Sequence, residues 1–377
     1  MKSSKLLLAS MGLLAGLVLG EVGLRFVAPQ VYRRPPVWQF DPELGWHHRP
    51  STSGWLVSPE FSVEYRINSA GLRDREVGRE KKAGQRRLLC FGDSFVEGWG
   101  VKQEERVSEG LAARLPGVEV INFGMAGYGT DQEWLLFEKQ GQQYQPDFVV
   151  LFFYGNDLWN NAARQGIGAE RGYKPFFQLE PGGRLQLKGV PVKKVLFWDQ
   201  EEGPWRRQVE TYLLENLHLY AFLRKAMTPE IPVQQQERYY QGLYGSGEDQ
   251  AVANWELTGR LLEAFALSAQ RAGAQLLLVY VPALVQIEDE DWKMKRELHG
   301  LAGEEYDLQK PDRQLKQLAE TYQIPFLDLY TPFKEQARTQ TLYHRDSHWN
   351  AQGHALAADE VAAFVLSQMS GRAGGRP

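Results

Sequence analysis

Leu88-Leu89-Cys90-Phe91-Gly92-Asp93-Ser94 is an apolar run that stops on a glycine, a carboxylate and a hydroxyl. A run this short, made of large apolar side chains, suits a strand buried on both faces of a parallel sheet. The pattern recurs at Val118 to Phe123, which leads into Gly124 to Gly129, and at Phe148 to Tyr154, which leads into Gly155-Asn156-Asp157. Two more runs, Leu276 to Val281 and Pro325 to Tyr330, bring the set to five. Helix-period segments separate them near 105–115, 132–143, 252–272 and 311–322, and a last one follows at 351–369.

Alternating strands and helices of this kind predict a three-layer α/β/α, flavodoxin-like, doubly wound fold around a five-stranded parallel sheet with right-handed crossovers. Such sheets bind ligands beyond the carboxyl ends of their strands, where strand order reverses. The three polar loops fall at that edge, and Asp346-Ser347-His348 lies after the fifth strand, before the last helix.

A serine hydroxyl needs a base to take its proton and a third group to orient that base. Ser94, His348 and Asp346 supply one complete set. Attack on an ester also creates an oxyanion, which needs preset donors. The Asn156 amide and nearby glycine N–H groups can provide them. Each residue alone has an ordinary reading: a serine after a strand is often a helix N-cap, and Asn156 can cap a helix or hold a turn. Their conjunction at one sheet edge carries the functional reading.

Other chemistries fit less well. His344, His348 and His354 lie close to Asp346, but the spacing matches no common zinc template. Residues 91–100 lack the Gly-Lys-Ser/Thr ending of a phosphate loop and the glycine spacing of a dinucleotide fingerprint. Cys90, the one cysteine, sits in an apolar run and reads as core. A formal charge of −4 and a pI near 6.1 leave no basic footprint for nucleic acid.

Lys2 and Lys5 precede the uncharged run Leu6 to Gly20, and Glu21 interrupts it before Val22, Leu24, Phe26 and Val27. Residues 1–30 therefore read as a signal peptide or N-terminal membrane anchor, with the uncleaved anchor favoured. The positive flank stays inside, so the rest of the chain is expected outside the cytoplasm, periplasmic or at the cell surface. Residues 31–80 read as an extended lead-in with a hairpin or two, in which His47 and His48 are solvated or packing residues. The main domain is expected over 81–370, with a lid-like insertion at about 160–250 and a disordered tail from Gly371 to Pro377. Within the insertion, Phe176–Leu179 and Leu185–Leu187 read as a strand pair around a Pro-Gly-Gly turn, 206–227 as helical, and Gln234–Gln236 and Gly245–Glu248 as loops.

At these residues the chain resembles the SGNH, or GDSL-like, hydrolase superfamily. The blocks that carry the resemblance are Phe91-Gly92-Asp93-Ser94, Asn122-Phe123-Gly124-Met125-Ala126-Gly127, Gly155-Asn156-Asp157 and the Asp346-His348 block with Trp349-Asn350. By position, the resemblance implies Ser94 as nucleophile, His348 as base and Asp346 as its orienting carboxylate. It also implies an oxyanion hole of the Ser94 N–H, Gly127 and Asn156, and it requires no cofactor. The family's usual aspartate position, three before the histidine, is Arg345 here. An Asp-x-His-Trp block is similar to the polysaccharide O-acetyltransferase-like branch. The expected activity is cleavage of a short O-acyl ester on envelope or exported carbohydrate, and an anchor also admits lipid esters. The alternatives are transfer of the acyl group to a sugar hydroxyl, or non-catalytic carbohydrate binding on the same fold. Trp99, Trp134, Trp159 and Trp349 lie near the loops, as sugar platforms or as core.

Overall fold

The computed structural model describes residues 2–166, 172–194, 205–227, 233–245, 249–301 and 305–373. Its elements in chain order begin with α1 (Lys2–Val27), β1 (Trp38–Asp41), β2 (Gly45–His48), β3 (Ser53–Val57) and β4 (Ser62–Arg66). Next come β5 (Arg86–Phe91), α2 (Ser94–Glu97), α3 (Val107–Arg114), β6 (Val118–Asn122), α4 (Thr130–Lys139), β7 (Phe148–Tyr154) and α5 (Asp157–Asn160). The insertion holds β8 (Phe176–Leu179), β9 (Leu185–Lys188), α6 (Trp205–Asn216), α7 (His218–Met227) and α8 (Val233–Tyr244). The chain then forms α9 (Asp249–Arg271), β10 (Gln275–Val281), α10 (Leu284–Ile287), α11 (Asp289–Leu298) and α12 (Lys310–Thr321). It closes with β11 (Phe326–Asp328), α13 (Tyr330–Gln336) and α14 (Ala351–Ala373).

The central sheet is all parallel in the order β6-β5-β7-β10-β11, the doubly wound arrangement with helices on both faces. Strand pleating divides its side chains between two cores. Leu89, Phe91, Val149, Leu151, Leu276 and Leu278 point to the face covered by Phe137 of α4, Phe265 of α9 and Leu315 of α12. Leu88, Cys90, Val150, Phe152, Leu277 and Val279 point to the other, covered by Leu111 of α3 and Ala357, Val361 and Val365 of α14. Each large apolar side chain so buried contributes about 1.5–3 kcal/mol, which is why continuous apolar runs form these strands.

Residues 31–80 pair as two hairpins, β1 with β2 and β3 with β4. Two expectations need correction. Gln234–Gln236 lie inside helix α8, because glutamine propagates a helix well and Tyr240, Leu243 and Tyr244 give that helix a buried stripe. Residues 371–373 are helical, since α14 runs through Gly371 as it does through Gly353; the rest of the tail, like 246–248 of the expected loop, lies outside the described residues.

The insertion divides among three places. The β8–β9 hairpin packs Phe177 on Trp134 of α4, with ring centroids 4.9 Å apart. Helix α8 sets Leu243 over Gly155, so close that a Cβ on the glycine would lie 2.8 Å from a leucine methyl. The α6–α7 pair lies beside α1. Lys174 pins the start of the insertion: its Nζ lies 2.5 Å from Asp131 Oδ2 and 2.8 Å from the Asn160 carbonyl oxygen, all buried. Lys174→Met is expected to strand the Asp131 charge and destabilise the fold by about 3 kcal/mol, with Asp131→Leu in the same chain restoring most of it. Urea melts of the single and double variants measure this.

Candidate active site

Asp93, rather than the serine, caps helix α2: its Oδ1 accepts from the Phe95 N–H at 3.0 Å. Ser94 is therefore the first helical residue and its hydroxyl is free for another partner. That partner is His348, with Oγ and Nε2 2.9 Å apart. Asp346 Oδ1 lies 3.3 Å from His348 Nδ1, a contact that falls short of a hydrogen bond, and accepts from the His348 N–H at 3.2 Å. Catalytic contacts often tighten only once substrate is bound.

A carboxylate two residues before its histidine needs a sharp turn between them. Ser347 makes it with φ of +72°, a conformation that costs a non-glycine residue about 1 kcal/mol. His344 closes the loop by donating its N–H to the His348 carbonyl oxygen at 2.8 Å. Arg345, at the family's usual aspartate position, points away, its N–H donating to Glu60 Oε2 at 2.8 Å. Trp99 Nε1 donates to Asp346 Oδ2 at 3.1 Å. Burial alone would raise the Asp346 carboxyl, but the His348 imidazole and N–H, with His344, outweigh it and hold the group below its ordinary value. The rings of Phe95 and Trp99 lie 5.3 Å and 5.7 Å from the imidazole.

The loop after β6 runs tightly under α2; a Cβ on Gly124 would sit 2.1 Å from the Glu97 nitrogen. Its peptides are gripped on both sides at Ala126. The N–H donates to Glu97 Oε2 at 2.6 Å, and the carbonyl accepts from Trp46 Nε1 at 3.2 Å. Gly127 follows in the left-handed region at φ +78°. The N–H groups of Ser94 and Gly127 find no acceptor among the described residues. Asn156 Nδ2 donates one hydrogen to Asp93 Oδ2 at 3.0 Å and keeps a second. Ser94, Gly127 and Asn156 thus come from the ends of three adjacent strands, β5, β6 and β7.

Sequence reasoning missed the supports. Asp93 joins α2 to Asn156. Glu97, a charge in a buried turn, bonds His48 Nε2 at 2.7 Å with both side chains fully buried. His47 and His48 are packing residues, not solvated ones. Trp99 and Trp349 are buried, and Trp134 stacks on Phe177, so none of these three is an open sugar platform. The only signal for Glu97 was its place between apolar neighbours.

Below the loops lie four buried carboxyls, Asp93, Asp131, Glu133 and Asp157. Burial, then the Asp93 and Asp131 charges, raises Glu133 well above its ordinary value, and neither of its oxygens has a partner among the described residues. Asp157 is raised by burial, then by Glu133 and Asp93. The histidines do not converge on a metal: His354 is buried on α14, accepting from the Val107 N–H at 3.2 Å, and burial lowers it to about 3. Among the described residues no group of three or more His, Cys, Asp or Glu is placed to hold one. Burial raises the Cys90 thiol well above its ordinary value, as befits a core residue.

This sheet order, with helices on both faces, is that of the SGNH hydrolase fold. The chain belongs to the GDSL-like lipase/acylhydrolase family, whose model matches residues 90–356, and is by that membership an ester-bond hydrolase. None of the curated proteins matches it in sequence. Solved structures similar to it include a catalytic mutant of Axe2, an acetylxylan esterase from Geobacillus stearothermophilus. That likeness has 16% identity, covers 76% of this chain and 96% of that one, and has a TM-score of 0.38. A second is the psychrotrophic esterase EstA from Pseudoalteromonas sp., at 13% identity, with 76% and 100% covered and a TM-score of 0.37.

Removing the indole donor in Trp99→Phe is expected to lower kcat about tenfold with KM little changed, the loss of one hydrogen bond to a charged group, and to lower Tm as well because the smaller ring leaves a cavity in the core. Steady-state kinetics on an aryl acetate check it. For Glu133 the folded carboxyl is raised, so its contribution to stability is present below its ordinary value of 4.5 and is lost as pH rises toward the folded value. Glu133→Gln should therefore raise Tm by about 2 °C or more at pH 8 and by less at pH 5. Melts at the two pH values read the difference.

Proposed function

We propose that the protein is a serine esterase that cleaves O-acetyl or other short O-acyl esters, through an acyl-enzyme on Ser94. The observation that carries this reading is the line Ser94 Oγ, His348 and Asp346, with separations of 2.9 Å and 3.3 Å, at the edge where strand order reverses. Ser94 Oγ attacks the ester carbonyl and its proton passes to His348 Nε2. Asp346 holds the imidazole and stabilises the imidazolium. The oxyanion meets the N–H groups of Ser94 and Gly127 and the spare hydrogen of Asn156. His348 then protonates the leaving alcohol oxygen. Water, deprotonated by His348, attacks the acyl-enzyme, and the acid departs with Ser94 restored.

Residues 81–370 form the catalytic unit in this reading, with residues 31–80 packed on it. The protein acts outside the cytoplasm, tethered by α1, on esters of envelope or exported carbohydrate. Support for the tether is the 23-residue stretch Lys5–Val27, long and apolar enough to cross a membrane, with no part of its apolar window buried in the protein.

The full-length protein treated with a fluorophosphonate is expected to gain one adduct, on Ser94, by mass spectrometry. Ser94→Ala should lose the adduct and at least 1000-fold in turnover while keeping its Tm. Turnover of aryl esters should fall with chain length from acetate to octanoate. Near-wild-type activity in Ser94→Ala would sink the mechanism, and a preference for octanoate would sink the short-acyl assignment.

A further inference from the structure

The α6–α7 pair and the outer end of α1 are locked together at one level. Glu21, which interrupts the apolar run of α1, receives the N–H groups of His218 and Leu219, at 3.1 Å and 2.8 Å, at the start of α7. Arg25 donates to Glu21 at 2.9 Å and to the Asn216 carbonyl at 3.2 Å. Just beyond α1, the Gln30 N–H donates to His218 Nδ1 at 2.9 Å, and Arg33 reaches both the Glu215 carbonyl and Asn216 Oδ1 at 3.1 Å. Four residues of the α1 end and its exit, Glu21, Arg25, Gln30 and Arg33, thus fix one short turn between two helices, and the Glu21 charge is consumed in doing so.

Depth follows from helix geometry. Twenty residues from Lys5 to Leu24 rise about 30 Å, the thickness of a bilayer's hydrocarbon core. Glu21 lies in the last turn of that length, so α7 starts at the boundary between acyl chains and headgroups. There the pair exposes Trp205, Val209, Tyr212, Phe222, Leu223 and Met227, each between 45% and 74% accessible. Soluble surfaces seldom gather that much apolar area, and Trp and Tyr concentrate at membrane interfaces. Lys225 adds a cation beside Phe222 and Leu223, as in helices that lie in an interface.

We propose that α6 and α7 form a second membrane contact, a helical pair lying in the lipid interface that holds the catalytic sheet at a set height and tilt above the bilayer. This rests on the reading of α1 as a membrane anchor. Lipid is the occupant because the start of α7 is bonded to the outer end of α1, a helix long and apolar enough to cross a membrane whose side chains between Leu6 and Leu19 are exposed.

The single cysteine, Cys90, is buried, so introduced cysteines can be labelled selectively. The full chain would be reconstituted in phosphatidylcholine–phosphatidylglycerol vesicles as three variants, Leu13→Cys, Phe222→Cys and Leu366→Cys. Each would carry an NBD label, and quenching by lipids bearing a nitroxide high on the acyl chain would be measured. Retained aryl acetate turnover in each variant reports an intact fold. Quenching at 13 and at 222, each at least threefold that at 366, supports the proposal. Quenching at 13 with 222 equal to 366 overturns it and leaves the anchor standing, including the case of a blue-shifted but unquenched label at 222, which marks a protein partner or a second copy there. Absence of quenching at 13 removes the anchor itself, and the proposal with it.

Discussion

Parallel pairing of β5 with β7 is the constraint on which the site depends. Leu88 faces Phe148 and Phe91 faces Leu151, so both strands leave the sheet at the same edge and side by side. Because β6 lies on one flank of β5 and β7 on the other, no crossover covers the space between them. Asp93 and Asn156 meet in that gap, and one carboxylate serves both. Its first oxygen starts the helix that presents Ser94, and its second fixes the amide of Asn156. A shift of register by one residue would reverse every side chain in β5 and would separate these two loops.

Glu97 does for the loop after β6 what Asp93 does for the loop after β7. Its backbone ends the turn that begins at Ser94, its carboxylate holds the Ala126 N–H, and His48 occupies the remaining oxygen. Trp46, two residues before His48, holds the next peptide unit by donating to the Ala126 carbonyl. Arg73 completes the enclosure by donating to the carbonyls of Glu97, Gly98 and Val101. Residues ahead of the sheet therefore position the backbone on which Gly127 sits. A fully buried carboxylate is stable only with such partners, so the network is all or nothing.

How much of this could be read in advance follows from how local each signal is. The five strands were legible because burial on both faces demands unbroken apolar runs such as Leu88–Phe91 and Phe148–Tyr154. The residues brought to the sheet edge were legible because each follows such a run or shares its loop with chemistry-bearing neighbours. Asp93, Glu97, His48 and Trp99 were not, because their roles are partners contributed by segments far away in the chain. Trp99 and Asp346 are 247 residues apart, and His48 and Glu97 are 49 apart. No periodicity reports such a pairing. Gln234–Gln236 failed in the opposite way: a polar triplet was read as a loop, although it lies in one helix with the buried Tyr240, Leu243 and Tyr244.

The buried carboxyls under the loops become intelligible once charge is considered. Under the proposed mechanism negative charge develops close to Gly127, Asn156 and the Ser94 N–H. Ionised acids beneath those donors would oppose it, and in a low-dielectric interior that opposition would be large. Burial and mutual repulsion instead raise Glu133 and Asp157, which favours their uncharged forms. The Asp131 carboxylate has Lys174 against it at 2.5 Å. Asp93, also raised by burial, is drawn back down by the Phe95 N–H and the Asn156 amide, and His348 favours its charge as well. Asp93 aims Asn156 through its carboxyl, and its two donors, the Phe95 N–H and the Asn156 amide, offset part of the effect of burial. Glu133 and Asp157 fill space beneath the site with little charge, and the Lys174 ammonium offsets that of Asp131.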